Sequence, residues 1–249
     1  LDFREKAPLN ANSKMFQDSN GNPLPGKSLK GHLASGVPGT VAGMMKAYNR
    51  WGSLPFPELI NPAINLAKSG FPITHDQANR FNNHFHEFQY YSTFEPKPFT
   101  KQYPWQKGDS LVQKTLAKTL QRIKRKGKSG FYSGKTAHYI IEEMNRCDGI
   151  ITHKDLENYK AKIRDPIKSE FGEYEIITMP PPSSGGICLS QLLTIVEDYP
   201  LAKWGFKDEK SVHLMTEAEK RVYADRSKHI GDPDYYNVPQ NGLLSQAYL

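Results

Sequence analysis

With 249 residues, 37% of them hydrophobic and 11% aromatic, the chain can bury a sizeable core and suits one large domain or part of a larger protein. No stretch approaches the roughly 18 unbroken apolar residues of a membrane span, and the opening LDFREKAP lacks the basic start and apolar centre of a secretory leader. The two cysteines, Cys147 and Cys188, match no zinc spacing and no disulfide framework, so they read as small apolar residues.

A net charge of +7 invites a nucleic-acid reading, and RIKRKGK at 122–128 is the densest basic run. Its place at the end of a predicted helix gives a simpler account. Cations there complement the negative end of the helix dipole, and Gly127 can adopt a positive φ as the cap. Without aromatic interleaving or a recognition motif, no nucleic-acid partner is expected.

In chain order, TVAGMMKAYNRW at 40–51 places Val41, Met44, Met45 and Tyr48 on one helical face, with Thr40 as cap and Gly52 as stop. A second helix starts at Thr74, whose hydroxyl and Gln77 form a capping box, and continues through Ala78, Phe81, Phe85 and Phe88. His84 and His86 lie two apart, point different ways on a helix, and read as solvated surface rather than as metal ligands. Ser110 and Gln113 suggest another capping box ahead of a face formed by Val112, Leu116, Leu120 and Ile123. Ser133–Met144 reads as a helix with Ala137, Ile140, Ile141 and Met144 inward, and THKD at 152–155 as a capped short helical turn.

After Tyr159, charged residues alternate with Ile163, Ile167, Phe171, Tyr174 and Ile176, and Gly172 sits where a reversal would fall, so a strand hairpin is expected near 160–179. A lone hairpin is marginal in water, which calls for further strands elsewhere in the fold or an incomplete sequence. Pro180, Pro181 and Pro182 end the strand, Ser183 and Ser184 can cap, and ICLSQLLTIVE supplies a buried helix with Ile187, Leu192, Ile195 and Val196. Neither serine sits between glycines as a nucleophile elbow requires, and no Gly-Lys-Ser or Gly-Lys-Thr of a phosphate loop is present, so strand–turn–helix punctuation is the reading. Asp225 and Arg226 fall near the end of a helix begun by Ser211 and read as an internal pair, and GDPD at 231–234 reads as a turn rather than a calcium loop.

MPPPSSGGI at 179–187, HLASGVPGTVAG at 32–43, LDFREKAP at 1–8 and AEKRVYADRSKHIGDPD at 218–234 together resemble the large subunit of the γ-glutamyltranspeptidases. LINPAINLAKSGF and ITHKDLENYKAKIRDPI fall between them, so the resemblance runs from the first residue to the last. It implies an α+β chain, part of the αββα sandwich of an N-terminal-nucleophile hydrolase. Such a protein is made as a precursor that cleaves itself into a large and a small subunit. The exposed threonine of the small subunit then attacks the γ-glutamyl amide of glutathione and other γ-glutamyl compounds, and water, an amino acid or a peptide accepts the glutamyl group. A free α-amine beside the threonine hydroxyl can act as its base. The resemblance implies no cofactor, and a periplasmic or secreted location.

The family cleaves before a Thr-Thr-His type sequence, whereas ITH at 73–75 and 151–153 each has a single threonine behind isoleucine. Residues 1–249 are therefore expected to be a single domain, an internal fragment of the large subunit. The nucleophile is expected outside it, and the chain alone to be inert. By its match to LDFREKAP, Arg4 is the residue expected to bind the α-carboxylate of the γ-glutamyl substrate, since a planar guanidinium can take a carboxylate with two parallel hydrogen bonds. On the residues alone, an ion pair with Asp2 or Glu5 would be the plainer reading. A cephalosporin acylase, a poly-γ-glutamate-processing enzyme, or a non-catalytic scaffold of the same shape are the alternatives.

Overall fold

The computed structural model describes residues 1–93, 95, 97 and 99–249, and the chain divides into two compact units, Leu1–Lys162 and Ile163–Leu249. The fold is α+β, as expected: helices dominate, and the described residues add two small antiparallel strand pairs.

The first unit opens with an extended segment and a short 3-10 turn, His32–Ala34. Its helices are α1 (Thr40–Trp51), α2 (Phe56–Ser69), α3 (His75–Asn83), α4 (Phe85–Tyr91), α5 (Lys114–Lys126), α6 (Ser129–Tyr132), α7 (Gly134–Arg146) and α8 (His153–Asn158). Strands β1 (Phe71–Pro72) and β2 (Ser110–Leu111) pair in register Phe71↔Leu111. Val37, Ala42, Tyr132, Ala137, Met144, Ile151, Leu156, Tyr159 and Ala161 form its main core. Fully burying a large apolar side chain contributes about 1.5–3 kcal/mol, so this cluster is the unit's principal source of stability.

Several expected features hold. α1 and α7 occupy the expected spans, α7 buries Ala137 and Met144, and Ile140 and Ile141 pack against the same core. Thr74 with Gln77 and Thr152 with Asp155 both close capping boxes, satisfying backbone donors that a helix start would otherwise leave unpaired. The basic run ends α5, and the N–H of Gly127, at φ +54°, caps the carbonyl of Ile123 at 2.7 Å.

Elsewhere tertiary contacts override local pattern. Thr40 is the first residue of α1 and Gly39 its cap; Met44 is 63% exposed while Ala42 and Gly43 are buried, so the inward face is turned toward the small residues. The helix expected to run on from Thr74 breaks at His84, where the Asn82 side chain instead exchanges two hydrogen bonds with the backbone of Trp105, at 2.8 and 2.9 Å. Ser110 is no cap: it lies in β2, opposite Pro72, and α5 begins only at Lys114. Val112 and Leu116, expected inward, are exposed, while Ile123 is buried as expected and Ala117 joins it. α2 escapes the helical pattern because Pro62 stands inside it and removes one intrahelical donor, whereas Pro57 lies in its first turn, where that donor is unpaired anyway. α5 and its cap hold α2 near its C-terminal end and at its middle, through Gln113 N–H to the Ala67 carbonyl at 2.8 Å and Lys124 Nζ to Asn61 at 2.7 Å.

The second unit begins with the hairpin β3 (Ile167–Phe171) and β4 (Tyr174–Thr178), turning at Gly172 with φ +56°. It continues with α9 (Gly185–Glu197), α10 (Leu201–Trp204), α11 (Glu209–His229) and α12 (Gln240–Leu243). Ile167, Ile187 and Leu243 form its core, and the Ser169 and Ser190 hydroxyls meet at 2.9 Å where β3 lies on α9. α11 starts at Glu209, capped by Asp208, rather than at Ser211.

The strand–turn–helix junction at 178–186 depends on Gly186. A Cβ there would stand 2.1 Å from the Met179 carbonyl oxygen, whereas one at Gly242 in α12 would meet nothing within 4 Å. Gly186→Ala is therefore expected to destabilise the protein by at least about 1–3 kcal/mol, the usual cost of overpacking. Gly242→Ala is expected to be neutral or to stabilise by up to about 1 kcal/mol. Denaturant unfolding of the two variants checks the contrast.

Candidate functional site

Arg4 lies in a segment whose backbone is tied down on both sides. Asp2 pairs with Lys162 through N–H···O bonds of 2.7 and 2.8 Å, and Lys6 pairs with Val37 through bonds of 3.2 and 2.7 Å. Between these bridges, the Tyr159 hydroxyl donates to the Arg4 carbonyl at 2.6 Å, and the Arg4 N–H donates to Asp2 Oδ1 at 3.1 Å. Further on, the Leu9 N–H donates to Asp155 Oδ1 at 2.7 Å. The main chain is thus fixed while the Arg4 side chain stands exposed. Among the described residues no ion pair joins the Arg4 guanidinium to Asp2 or Glu5; its contact with Asp2 runs through the backbone.

Two buried tyrosines carry this arrangement. Tyr132 and Tyr159 are 2% and 3% exposed and stack with ring centres 5.7 Å apart and planes 7° from parallel. The Tyr132 hydroxyl donates to the Pro38 carbonyl at 2.7 Å and accepts the Ala42 N–H at 3.2 Å, fixing the start of α1 as Tyr159 fixes Arg4. Burial, helped by the neighbouring Tyr132, Asp2 and Glu5, pushes the Tyr159 phenol up to about 12, so it remains a donor throughout the physiological range. Lys128 Nζ closes the back of the pair on the Tyr159 carbonyl at 2.5 Å.

Close approach requires glycine. A Cβ on Gly39 would fall 2.0 Å from both the Phe3 carbonyl oxygen and the Tyr159 hydroxyl, and one on Gly43 would fall 2.2 Å from the Phe3 ring. Gly39 and Gly43 lie one turn apart and face the segment that holds Arg4, which is why the block at 32–43 and the block at 1–8 meet. The other end of that block is held where His32 Nε2 meets Glu143 at 2.9 Å and the Thr93 hydroxyl donates to the same carboxylate.

The remaining sequence candidates are placed plainly. Ser183 Oγ accepts the Gly185 N–H at 3.4 Å, and Ser184 accepts Arg226 Nε at 3.0 Å, so both serve the turn. Asp225 and Arg226 do not pair with each other: Asp225 takes bonds from Gln191 and Tyr248, while Arg226 reaches Ser184. GDPD forms a turn in which Asp232 accepts the Asp234 N–H at 2.9 Å, and Arg164 reaches Asp234 at 3.3 Å. His84 bonds Glu87 at the surface, and no cluster of three metal-ligating side chains occurs among the described residues. Sequence reasoning missed Tyr132, Tyr159, Gly39 and Gly43; the glycine pair at helical spacing was the available signal.

Asp155 joins the capping box to the Arg4 segment. Burial would raise its carboxyl, but hydrogen bonds from the Thr152 hydroxyl and from the Leu9 and Thr152 N–H groups outweigh that and hold it below its ordinary value of 3.8. A depressed carboxyl lends stability that is complete above its unfolded value and is lost as pH falls through the folded one. Asp155→Asn is therefore expected to lower Tm near neutrality and to shrink the loss of Tm between about pH 5 and 3. Thermal melts across that range check both parts.

The description Gamma-glutamyltranspeptidase belongs to the family model that matches residues 1–249. The chain is 43% identical over 249 residues to the glutathione hydrolase proenzyme of Escherichia coli, covering all of this chain and 43% of that protein. It is 35% identical over 222 residues to the acylase ACY 1 proenzyme of a Pseudomonas strain, covering 89% of this chain and 40% of the relative. The crystal structure of Helicobacter pylori gamma-glutamyltranspeptidase superposes with a TM-score of 0.96 at 44% identity, over 99% of this chain and 71% of that one. The chain thus spans less than half the length of the curated relatives it matches.

Proposed function

Because this chain belongs to the gamma-glutamyltranspeptidase family, we propose that it forms the large-subunit part of a glutathione hydrolase and γ-glutamyltransferase. In this reading the small subunit of the same precursor supplies a nucleophilic threonine. The acyl-enzyme passes the glutamyl group to water, an amino acid or a peptide. The chain by itself is inactive, and the assembled protein works in the periplasm or outside the cell. Among the described residues no helix is long and apolar enough to cross a membrane.

One observation supports the reading above the others. Arg4 presents an exposed guanidinium from a backbone already pinned at Asp2, Arg4 and Lys6. Ordering the segment in advance lowers the entropy lost when ligand binds. A guanidinium–carboxylate contact is worth about 1.5–3 kcal/mol, which is roughly 10- to 100-fold in affinity. The second reading, an acylase, draws on the relative of that name. An acylase for side chains without an α-carboxylate has less need of Arg4.

Kinetics of the intact protein on γ-glutamyl-p-nitroanilide separate these. Arg4→Ala is expected to raise KM about 10- to 100-fold with a smaller change in kcat, and Arg4→Lys to recover part of the loss. Wild type is expected to reject 4-aminobutyryl-p-nitroanilide, which lacks the α-carboxylate, and Arg4→Ala to lose that discrimination. Unchanged KM in Arg4→Ala would remove the residue from the site.

A further inference from the structure

We propose that the exposed basic face formed by α5 and the start of α7 docks the protein on an anionic phospholipid surface. Residues 110–141 hold eight of the chain's 33 Lys and Arg and none of its 26 Asp and Glu. The other residues therefore sum to −1, and the net charge of +7 is concentrated in this one stretch.

Folding accounts for only part of that charge. Lys124 reaches Asn61, Lys128 reaches the Tyr159 carbonyl, and Arg125 and Lys126 stand in the last turn of α5, where the helix dipole favours cations. Lys114 and Lys135 stand at the wrong ends for that. Lys114 is the first residue of α5 and Lys135 the second of α7, neither helix has an acidic residue in its first turn, and the dipole there opposes a cation. Lys114 with Lys118, Lys118 with Arg122, and Arg122 with Lys126 are also like-charge pairs at i, i+4, which repel. Among the described residues none of these cations forms an ion pair with a carboxylate, and Glu142, the next acid along α7, pairs with His138 at 3.4 Å.

The charges make a face rather than a pocket. Lys114, Lys118 and Arg125, all exposed, fall at i, i+4 and i+11 and so line one side of α5 over about 16 Å. Arg122 joins this row to α7: its Nε donates to Thr136 at 2.9 Å, its NH2 to Thr119 at 3.0 Å, and its guanidinium lies 5.8 Å from the centre of the Tyr139 ring. Lys135 Nζ lies 5.5 Å from the centre of the same ring, which is 46% exposed. None of the larger cavities among the described residues is lined by these side chains.

A bilayer of anionic headgroups matches such a face. Clusters of about four to eight Lys and Arg on a helix surface are attracted to it. A lysine ammonium is a strongly hydrated point charge on a flexible stem, so it needs no fixed partner geometry, and tyrosine is favoured at the membrane–water boundary. A nucleic acid fits less well, because Tyr139 is the one exposed aromatic among these cations and a base-stacking platform needs several.

The test is co-sedimentation of the intact protein with vesicles of equal parts phosphatidylglycerol and phosphatidylcholine, and with vesicles of phosphatidylcholine alone. Vesicle binding is read without substrate, so its outcome is separate from that of the Arg4 kinetics. Binding to the anionic vesicles, falling steeply as salt rises, and none to the neutral ones are expected. Each charge removed is expected to weaken binding about fivefold, so Lys114→Gln, Lys118→Gln and Lys135→Gln together weaken it roughly 100-fold. The same three changes relieve repulsion and are expected to leave Tm equal or higher. Lys203→Gln, Lys207→Gln and Lys210→Gln, at exposed positions of the second unit, lower the net charge equally and are expected to change binding little. No binding to the anionic vesicles, equal binding to the neutral ones, unchanged affinity or a lower Tm in the first triple variant, an equal loss in the second, or tighter binding of a single-stranded oligonucleotide than of the vesicles would each overturn the proposal.

Discussion

The hydrogen bond from the buried Tyr159 hydroxyl to the Arg4 carbonyl, 2.6 Å long, is the contact on which the site depends. A guanidinium on an unpaired, flexible segment would lose its conformational freedom anew with every ligand. Here that freedom is already spent in folding: the backbone is paired at Asp2 and Lys6, and Tyr159 fixes the residue between them. The phenol can do this because burial keeps it protonated and because Tyr132 stacks flat against it.

This constraint explains features that would otherwise look unrelated. Gly39 and Gly43 are small so that the Phe3–Arg4 backbone can lie against the start of α1. Asp155 serves two purposes with one carboxylate, capping α8 and holding Leu9, so a helix start and the Arg4 segment share an anchor. Lys128, next to the end of α5, reaches the Tyr159 carbonyl, so part of the basic run that suggested nucleic acid supports the same core. Local elements, packing and the exposed Arg4 are therefore links in one chain of cause.

What could be read from sequence was whatever local chemistry decides. The capping boxes at Thr74 and Thr152, the span of α7 and the hairpin around Gly172 follow from residues within a few positions of each other. What escaped was decided at long range. Ser110 carries the signs of a cap, yet pairing with the distant β1 makes it a strand residue. Asn82 bonds to Trp105 where the helix from Thr74 was expected to run on, and Pro62 hid α2 although α5 packs against it. At the candidate site, Arg4 is proposed on its motif and on nothing in its own neighbourhood. The stacked tyrosines that position it lie more than a hundred residues away and carry no signature beyond being aromatic.

A crystal structure of the intact protein with L-glutamate tests the central claim most directly. The Arg4 guanidinium should lie within hydrogen-bond reach of both oxygens of the α-carboxylate, with the Tyr159 hydroxyl still on the Arg4 carbonyl. A glutamate whose α-carboxylate is held by other groups while Arg4 points to solvent would contradict it.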